Sequence, residues 1–289
     1  MDSATPPVTS ACAQCSKSAI RICAGCRDAP VITGGIQSIH YCSNECQVAD
    51  WPTHKMICKG LKYRKILYRA GATLQQIFYL YREQVFDTVF TKFEEKDGKF
   101  YIHEGATTTP HNNNHASLPL PFPHDLCGSV EHKQAMLVHR TSGEANNLSS
   151  PDIASSITEI SFKLKNPSHE LVIIGPNGEN LPHTPQTMLL VTLKHSGEKY
   201  VVYLAGAIFG FHQPVHPWAD FEARHVRTGE GAAPTETESF GHARGAFLRV
   251  IHVMEGLEFG SVLDWEEQGS LTVKALIDLS EEQFKLKQK

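Results

Sequence analysis

The sequence predicts an α+β protein, with a small cysteine-rich finger at the N-terminus and a larger domain of helices packed on a mainly antiparallel sheet. Three observations predict it. Seven of the eight cysteines fall within residues 12–58, in pairs that close with a histidine. Residues 74–89 carry apolar side chains at steps of mostly three or four, the period of an amphipathic helix. Residues 160–204 hold short alternating or β-branched runs separated by turn-forming residues, the pattern of sheet.

The finger comes first. Its pairs are Cys12-x-x-Cys15, Cys23-x-x-Cys26, Cys42-x3-Cys46 and His54-x3-Cys58. Eight such ligands supply two tetrahedral zinc sites, because each Zn²⁺ takes four cysteine thiolates or histidine nitrogens. A Cys-x-x-Cys turn presents two sulfurs to one metal, and an i, i+4 pair does the same across one helical turn. A disulfide framework fits poorly, since seven is odd and two-residue spacings are those of metal knuckles. Spacing leaves open whether the sites are sequential or interleaved. Metal supplies most of the expected stability, because a module this small buries little apolar surface by itself.

Residues 12–58 resemble the MYND-type zinc finger. The likeness extends past the ligands to Tyr41 before Cys42, Gln47 after Cys46, and the run Trp51-Pro52-Thr53-His54-Lys55 leading to Cys58. The resemblance implies interleaved sites, with Cys12, Cys15, Cys42 and Cys46 on one zinc and Cys23, Cys26, His54 and Cys58 on the other. It also implies a protein-interaction role in which Gln47 and Trp51 line a shallow groove for a proline-rich peptide. The competing structural role for Trp51 is to cap the small core between the two sites.

Composition bounds the remaining possibilities. The 289 residues are 41% hydrophobic and 20% charged, with a formal net charge of −4. This mild acidity argues against a phosphate-binding surface and so against a DNA-binding finger. Lys17, Arg21, Arg27, Lys55 and Lys59 lie among the ligands, where they offset the excess negative charge of seven thiolates around two zinc ions. No apolar run is long enough to span a bilayer. Residues 1–11 are expected to be a disordered N-terminus without a secretory signal, which places the chain in nucleus or cytoplasm.

Along the chain, residues 43–60 are expected to be helical with a break near Trp51 and Pro52, since proline suits the first turn of a second helix. Gly71 is expected to separate that segment from the helix over 74–89, with the domain of residues 61–289 following the finger. The stripe Phe78, Tyr81, Phe86, Phe90 and Phe93 reads as core. Asp97-Gly98 marks a turn before a short strand at 100–103. Residues 105–124 form a polar, proline-rich loop. Its Asn114-His115-Ala116-Ser117 is similar to part of the Asn-His-Ser-Cys signature of SET methyltransferases but lacks the Ser-Cys half, and is read as coincidence. Its Pro119-Leu120-Pro121-Phe122-Pro123 reads as a solvated polyproline segment.

A helix over 126–140 begins at Cys127, and 141–150 is a loop. Strands follow at 160–164, 171–174, 188–194 and 199–204, the last two flanking a hairpin turn at His195-Ser196-Gly197-Glu198. A helix over 217–226, a loop over 227–238, and helices over 243–257 and 271–279 complete the domain, before a capping-box sequence at Ser280.

One alternative comes from another class. The order of a cysteine on a helix and then a hairpin is similar to papain-like and transglutaminase-like cysteine hydrolases. Cys127, His183 and His195 are the residues on which such chemistry would rest, needing a thiolate, a base in reach and an orienting acid. The strand positions that carry base and acid in those folds hold Met188 and Leu204 here, so no catalytic residues are assigned. The sequence therefore points to a zinc-binding, MYND-type protein-interaction factor, an adaptor or regulator in which the large domain has no assigned role.

Overall fold

The computed structural model describes residues 10–31, 35–84, 86–106, 120–141, 153–183, 186–227 and 235–236. The expected helices over 243–257 and 271–279, the capping box, all but the first residue of the 141–150 loop and most of the 105–124 loop lie outside the described residues. The chain divides into two compact units. One holds Met1–Ala70, Pro151–Ser156 and Thr192–Lys199, and the other holds Gly71–Ser150, Ile157–Val191 and Tyr200–Lys289.

The first unit is built from very short strands and a helix. Strand β1 (Arg21–Ile22) pairs antiparallel with β4 (His40–Tyr41), and β2 (Ala29–Pro30) with β3 (Ile36–Gln37). Its core consists of Cys12, Cys23, Cys26, Ala29, Tyr41, Cys58 and Leu61. Four of those seven side chains are metal-ligand thiols, so apolar burial alone cannot hold this unit together. Tyr41, fully buried, donates its hydroxyl to Asp50 Oδ2 at 2.7 Å and so fastens β4 to the helix.

That helix, α1, runs from Asn44 to Gln84 without the expected interruptions at Pro52 and Gly71. Pro52 removes the hydrogen bond to the Val48 carbonyl. Val48, Trp51 and Pro52 are all exposed, so water can satisfy that carbonyl and the helix continues. Gly71 serves close packing instead of a break. A Cβ there would stand 2.4 Å from Val215 Cγ2, so only glycine lets α1 approach this closely.

The tip of a later hairpin, residues 192–199, also belongs to the first unit. Arg64 on α1 donates Nε to Glu198 Oε2 at 3.1 Å and Nη1 to the Pro30 carbonyl at 2.8 Å. One guanidinium thus joins the helix to both the finger and the hairpin tip. Beside it the His195 ring, on a residue with φ of 70°, packs 5.4 Å from the Tyr63 ring.

The second unit contains two sheets. In one, the order is β5 (Phe90–Lys96), β6 (Lys99–Glu104), β8 (Glu170–Ile174) and β9 (Asn180–Leu181). Strands β5 and β6 form the hairpin expected around Asp97-Gly98, and β6 pairs in parallel with β8 from Lys99↔Glu170 to His103↔Ile174. A parallel pair needs a crossover, and the chain between them supplies one that includes helix α2 (Val130–Leu137). The other sheet has the order β12 (Val215–Pro217), β11 (Lys199–Val202), β10 (Gln186–Leu193), β7 (Ala154–Phe162) and β13 (Thr235–Glu236). Helix α3 (Trp218–His225) follows β12 directly.

The aromatic stripe is core over most of its length, with Phe78, Phe86 and Phe90 buried. It does not all lie on the helix, however, because α1 stops at Gln84 and Phe90 opens β5. Phe122, in the segment read as solvated polyproline, is buried edge-on to Phe86 at 4.9 Å. Buried Arg82 closes the end of α1 by donating Nε to the Leu137 carbonyl and Nη2 to Asp87 Oδ1 at 2.7 Å.

Candidate metal centre

The strand pairing of the first unit explains how its ligands are sorted. Cys12 and Cys15 precede β1, and Cys23 and Cys26 follow it. Pairing of β1 with β4 returns the chain to the first knuckle, so Cys42, just after β4, and Cys46, in the first turn of α1, arrive beside Cys12 and Cys15. About two turns and then three further along α1, His54 and Cys58 fall on one face and meet the second knuckle.

Two four-membered clusters result. Cys12, Cys15, Cys42 and Cys46 form one, and Cys23, Cys26, His54 and Cys58 the other, with the ligand atoms of each within 4.8 Å of one another. Cys15 Sγ lies 3.4 Å from Cys42 Sγ and 3.7 Å from Cys46 Sγ. In the second cluster Cys23 and Cys58 sulfurs are 3.7 Å apart, and His54 Nε2 is 3.4 Å from Cys23 Sγ and 3.7 Å from Cys26 Sγ. Zinc–sulfur bonds of about 2.3 Å at the tetrahedral angle place sulfurs about 3.7 Å apart, which these separations match. All eight cysteines are free thiols, so no disulfide competes with the metal.

The electrostatics of the clusters also call for a cation. Burial raises the Cys12 thiol, but backbone N–H groups at Cys42, Cys15 and Gln14 outweigh it and bring the thiol down to about 6. Hydrogen bonds with Cys15 and Cys46 then push Cys42 up to about 12, and burial pushes Cys58 up to about 12. One thiolate per cluster forms readily and resists the next, so a divalent cation is what permits the full set. Burial keeps His54 neutral by lowering its pKa, as a ligand nitrogen requires. The residues present therefore fit two zinc ions, which when bound supply the cross-links that the small core lacks.

Gly25 completes the second knuckle. A Cβ at this position would come within 2.9 Å of Cys58 Sγ. The sequence shows a glycine between Cys23 and Cys26, but not that the sulfur of a residue 33 positions later rests against it. The Arg64–Glu198 bridge is likewise invisible to any local pattern.

Gln47 and Trp51 lie one turn apart on α1, between the two ligand groups of the helix. Gln47 is half-buried, while Trp51 is 47% exposed with its ring edge-on to the His54 imidazole at 6.0 Å. The tryptophan therefore shields a zinc ligand with one edge and leaves much of the ring in solvent.

Cys127 does not occupy a helix N-terminus. Ser129 caps α2 by accepting from His132 N at 3.1 Å, so the helix starts at Val130 and Cys127 stands outside its first turn. Among the described residues its sulfur is partnered by the Pro123 carbonyl at 3.9 Å and Met136 Sδ at 3.7 Å, neither of them a base. Burial raises its thiol pKa. His183 lines an open cleft of about 430 Å³ in the second unit with Phe162, Phe209 and Arg227, and His195 packs against Tyr63 in the first.

Two zinc sites woven through one another by a two-residue strand pair define a cross-braced zinc finger. Comparison with known proteins identifies the type, because the family model described as MYND finger matches residues 12–58. Residues 12–58 are a MYND-type zinc finger, which is a protein-interaction module binding two Zn²⁺. The chain is 40% identical over 47 residues to the zinc finger MYND domain-containing protein 10 homolog of Drosophila melanogaster, covering 16% of this chain and 8% of that protein. It is 39% identical over 67 residues to SET domain and MYND-type zinc finger protein 6 of Schizosaccharomyces pombe, covering 22% of this chain and 11% of that protein. The match thus spans about a tenth of these curated relatives. No solved structure matches the chain significantly. Among the described residues, no helix is long and apolar enough to cross a membrane.

Proposed function

We propose that this chain is an adaptor or regulator, working in nucleus or cytoplasm, whose finger at residues 12–58 captures proline-rich peptide segments on behalf of the domain at residues 61–289. The observation that carries this reading is the half-exposed Trp51 ring, held edge-on to a buried zinc ligand and one helical turn from Gln47. A tryptophan needed only to cap the core would be covered. An exposed aromatic face beside an amide handle suits an extended proline peptide, which offers flat rings and unpaired carbonyls at little entropic cost. The cysteine-hydrolase alternative gains no support from Cys127, whose thiol pKa is raised and whose sulfur, among the described residues, meets the Pro123 carbonyl and Met136 Sδ and no base.

The test is fluorescence anisotropy with a labelled peptide of alternating prolines and leucines, titrated with the zinc-loaded chain. Trp51→Ala should weaken binding at least tenfold, the scale of an aromatic anchor, while zinc content stays at two per chain. Equal binding by wild type and variant would remove the groove assignment.

A further inference from the structure

The two metal sites are alike in chemistry and unlike in access. In the second cluster Cys23, Cys26, His54 and Cys58 are all buried. In the first, Cys12 is buried and Cys42 and Cys46 are half-buried, but Cys15 is exposed. Cys15 also has two sulfurs within reach, Cys42 at 3.4 Å and Cys46 at 3.7 Å. A redox-responsive cysteine is an accessible thiolate beside a resolving thiol; zinc ligation supplies the thiolate, and the fold supplies the exposure and the neighbour.

We propose that Cys15 is a site of oxidation by peroxides and that Cys42 closes the resulting disulfide, so that the finger surrenders its first metal site and keeps its second. In the first step the Cys15 sulfur attacks one oxygen of hydrogen peroxide. An S–O bond forms, the O–O bond breaks, and hydroxide leaves to be protonated to water. In the second step the Cys42 thiolate attacks the Cys15 sulfur. An S–S bond forms, the S–O bond breaks, and a second hydroxide leaves as water. Two thiolates lose two electrons, and one peroxide with two protons becomes two waters.

Bond formation requires the two sulfurs to close from 3.4 Å to about 2.05 Å, a short movement for side chains at an exposed knuckle and the N-terminal end of a helix. The first cluster then retains only Cys12 and Cys46 as thiolates, too few for a tetrahedral site. The second cluster keeps all four donors behind its buried wall. Cys127 serves as an internal control, because its thiol is partly buried and its sulfur neighbour is the thioether of Met136.

The experiment treats the zinc-loaded full chain with hydrogen peroxide while a chromogenic zinc chelator reports release, followed by alkylation and peptide mapping by mass spectrometry. One zinc per chain should be released at least tenfold faster than the other. The mapped disulfide should join Cys15 to Cys42, with Cys23, Cys26 and Cys58 still reduced, and dithiothreitol with added zinc should restore both sites. Cys15→His keeps a metal donor but removes the attacked sulfur, and should slow the fast phase at least tenfold. Should that variant bind only one zinc, the wild-type disulfide map decides alone. Simultaneous loss of both zincs, a first disulfide within the second cluster, or unchanged sensitivity of a two-zinc Cys15→His protein would overturn the proposal.

Discussion

Replacing Gly25 by alanine should weaken the second zinc site and leave the first intact. The added methyl group would sit 2.9 Å from Cys58 Sγ, well inside the ordinary carbon–sulfur contact distance. Relief requires Cys58 or the knuckle to move by several tenths of an ångström. Neither is free to do so, because Cys58 is fixed in α1 and a zinc–sulfur bond tolerates only about 0.2 Å of departure. Forced overpacking of this kind costs about 1–3 kcal/mol, equivalent to roughly 5- to 150-fold in affinity for one metal. Competition with a calibrated chelator, followed by stoichiometry at each chelator strength, resolves the two sites. The expected curve has one zinc unchanged and one released at lower chelator concentration. If both zincs keep their wild-type affinity, or both weaken equally, the contact between Gly25 and Cys58 does not control the site.

Two further predictions concern the rest of the chain. Arg64→Ala and Glu198→Gln should each destabilise the first unit, and a double-mutant cycle on thermal unfolding should yield a coupling of about 1–2 kcal/mol for this largely shielded bidentate pair; additive effects would mean that the bridge contributes nothing. In the zinc-loaded protein Cys127 should alkylate more slowly than a free thiol at neutral pH. Burial raises its folded pKa, so its contribution to stability is present below the unfolded pKa and is lost as pH rises through the higher folded value. Labelling that is rapid at pH 6 would contradict this environment and revive a nucleophilic role.

Much of the metal chemistry was legible because it is written in local spacing. Cys-x-x-Cys and His54-x3-Cys58 have their geometry fixed by a turn or a helical period, whatever the remainder of the chain does. The hairpin at Asp97-Gly98 and helix α3 were readable for the same reason. The expected breaks in α1 were not found, because local rules for proline and glycine give way when solvent satisfies the lost hydrogen bond at Pro52 and when packing against Val215 demands a glycine at 71. The local pattern puts a helix start at Cys127, whereas the Ser129 cap moves that start three residues onward, to Val130.

The sequence by itself determined that eight ligands of the right chemistry stand in four pairs, that two zinc ions satisfy them, and which helices and strands the strongest periodicities make. Tertiary structure supplied the physical reason why particular pairs share a metal: spacing is equally compatible with sequential sites, the resemblance to MYND-type fingers implies the interleaved sets, and the β1–β4 pairing is what brings Cys42 back to Cys15. It also decided that Cys15 is exposed while the whole second cluster is buried, that β6 and β8 run parallel, and that Arg64 reaches Glu198. These are contacts between residues 27 to 134 positions apart. Local propensity carries no information about such pairs, and only the packed chain selects them.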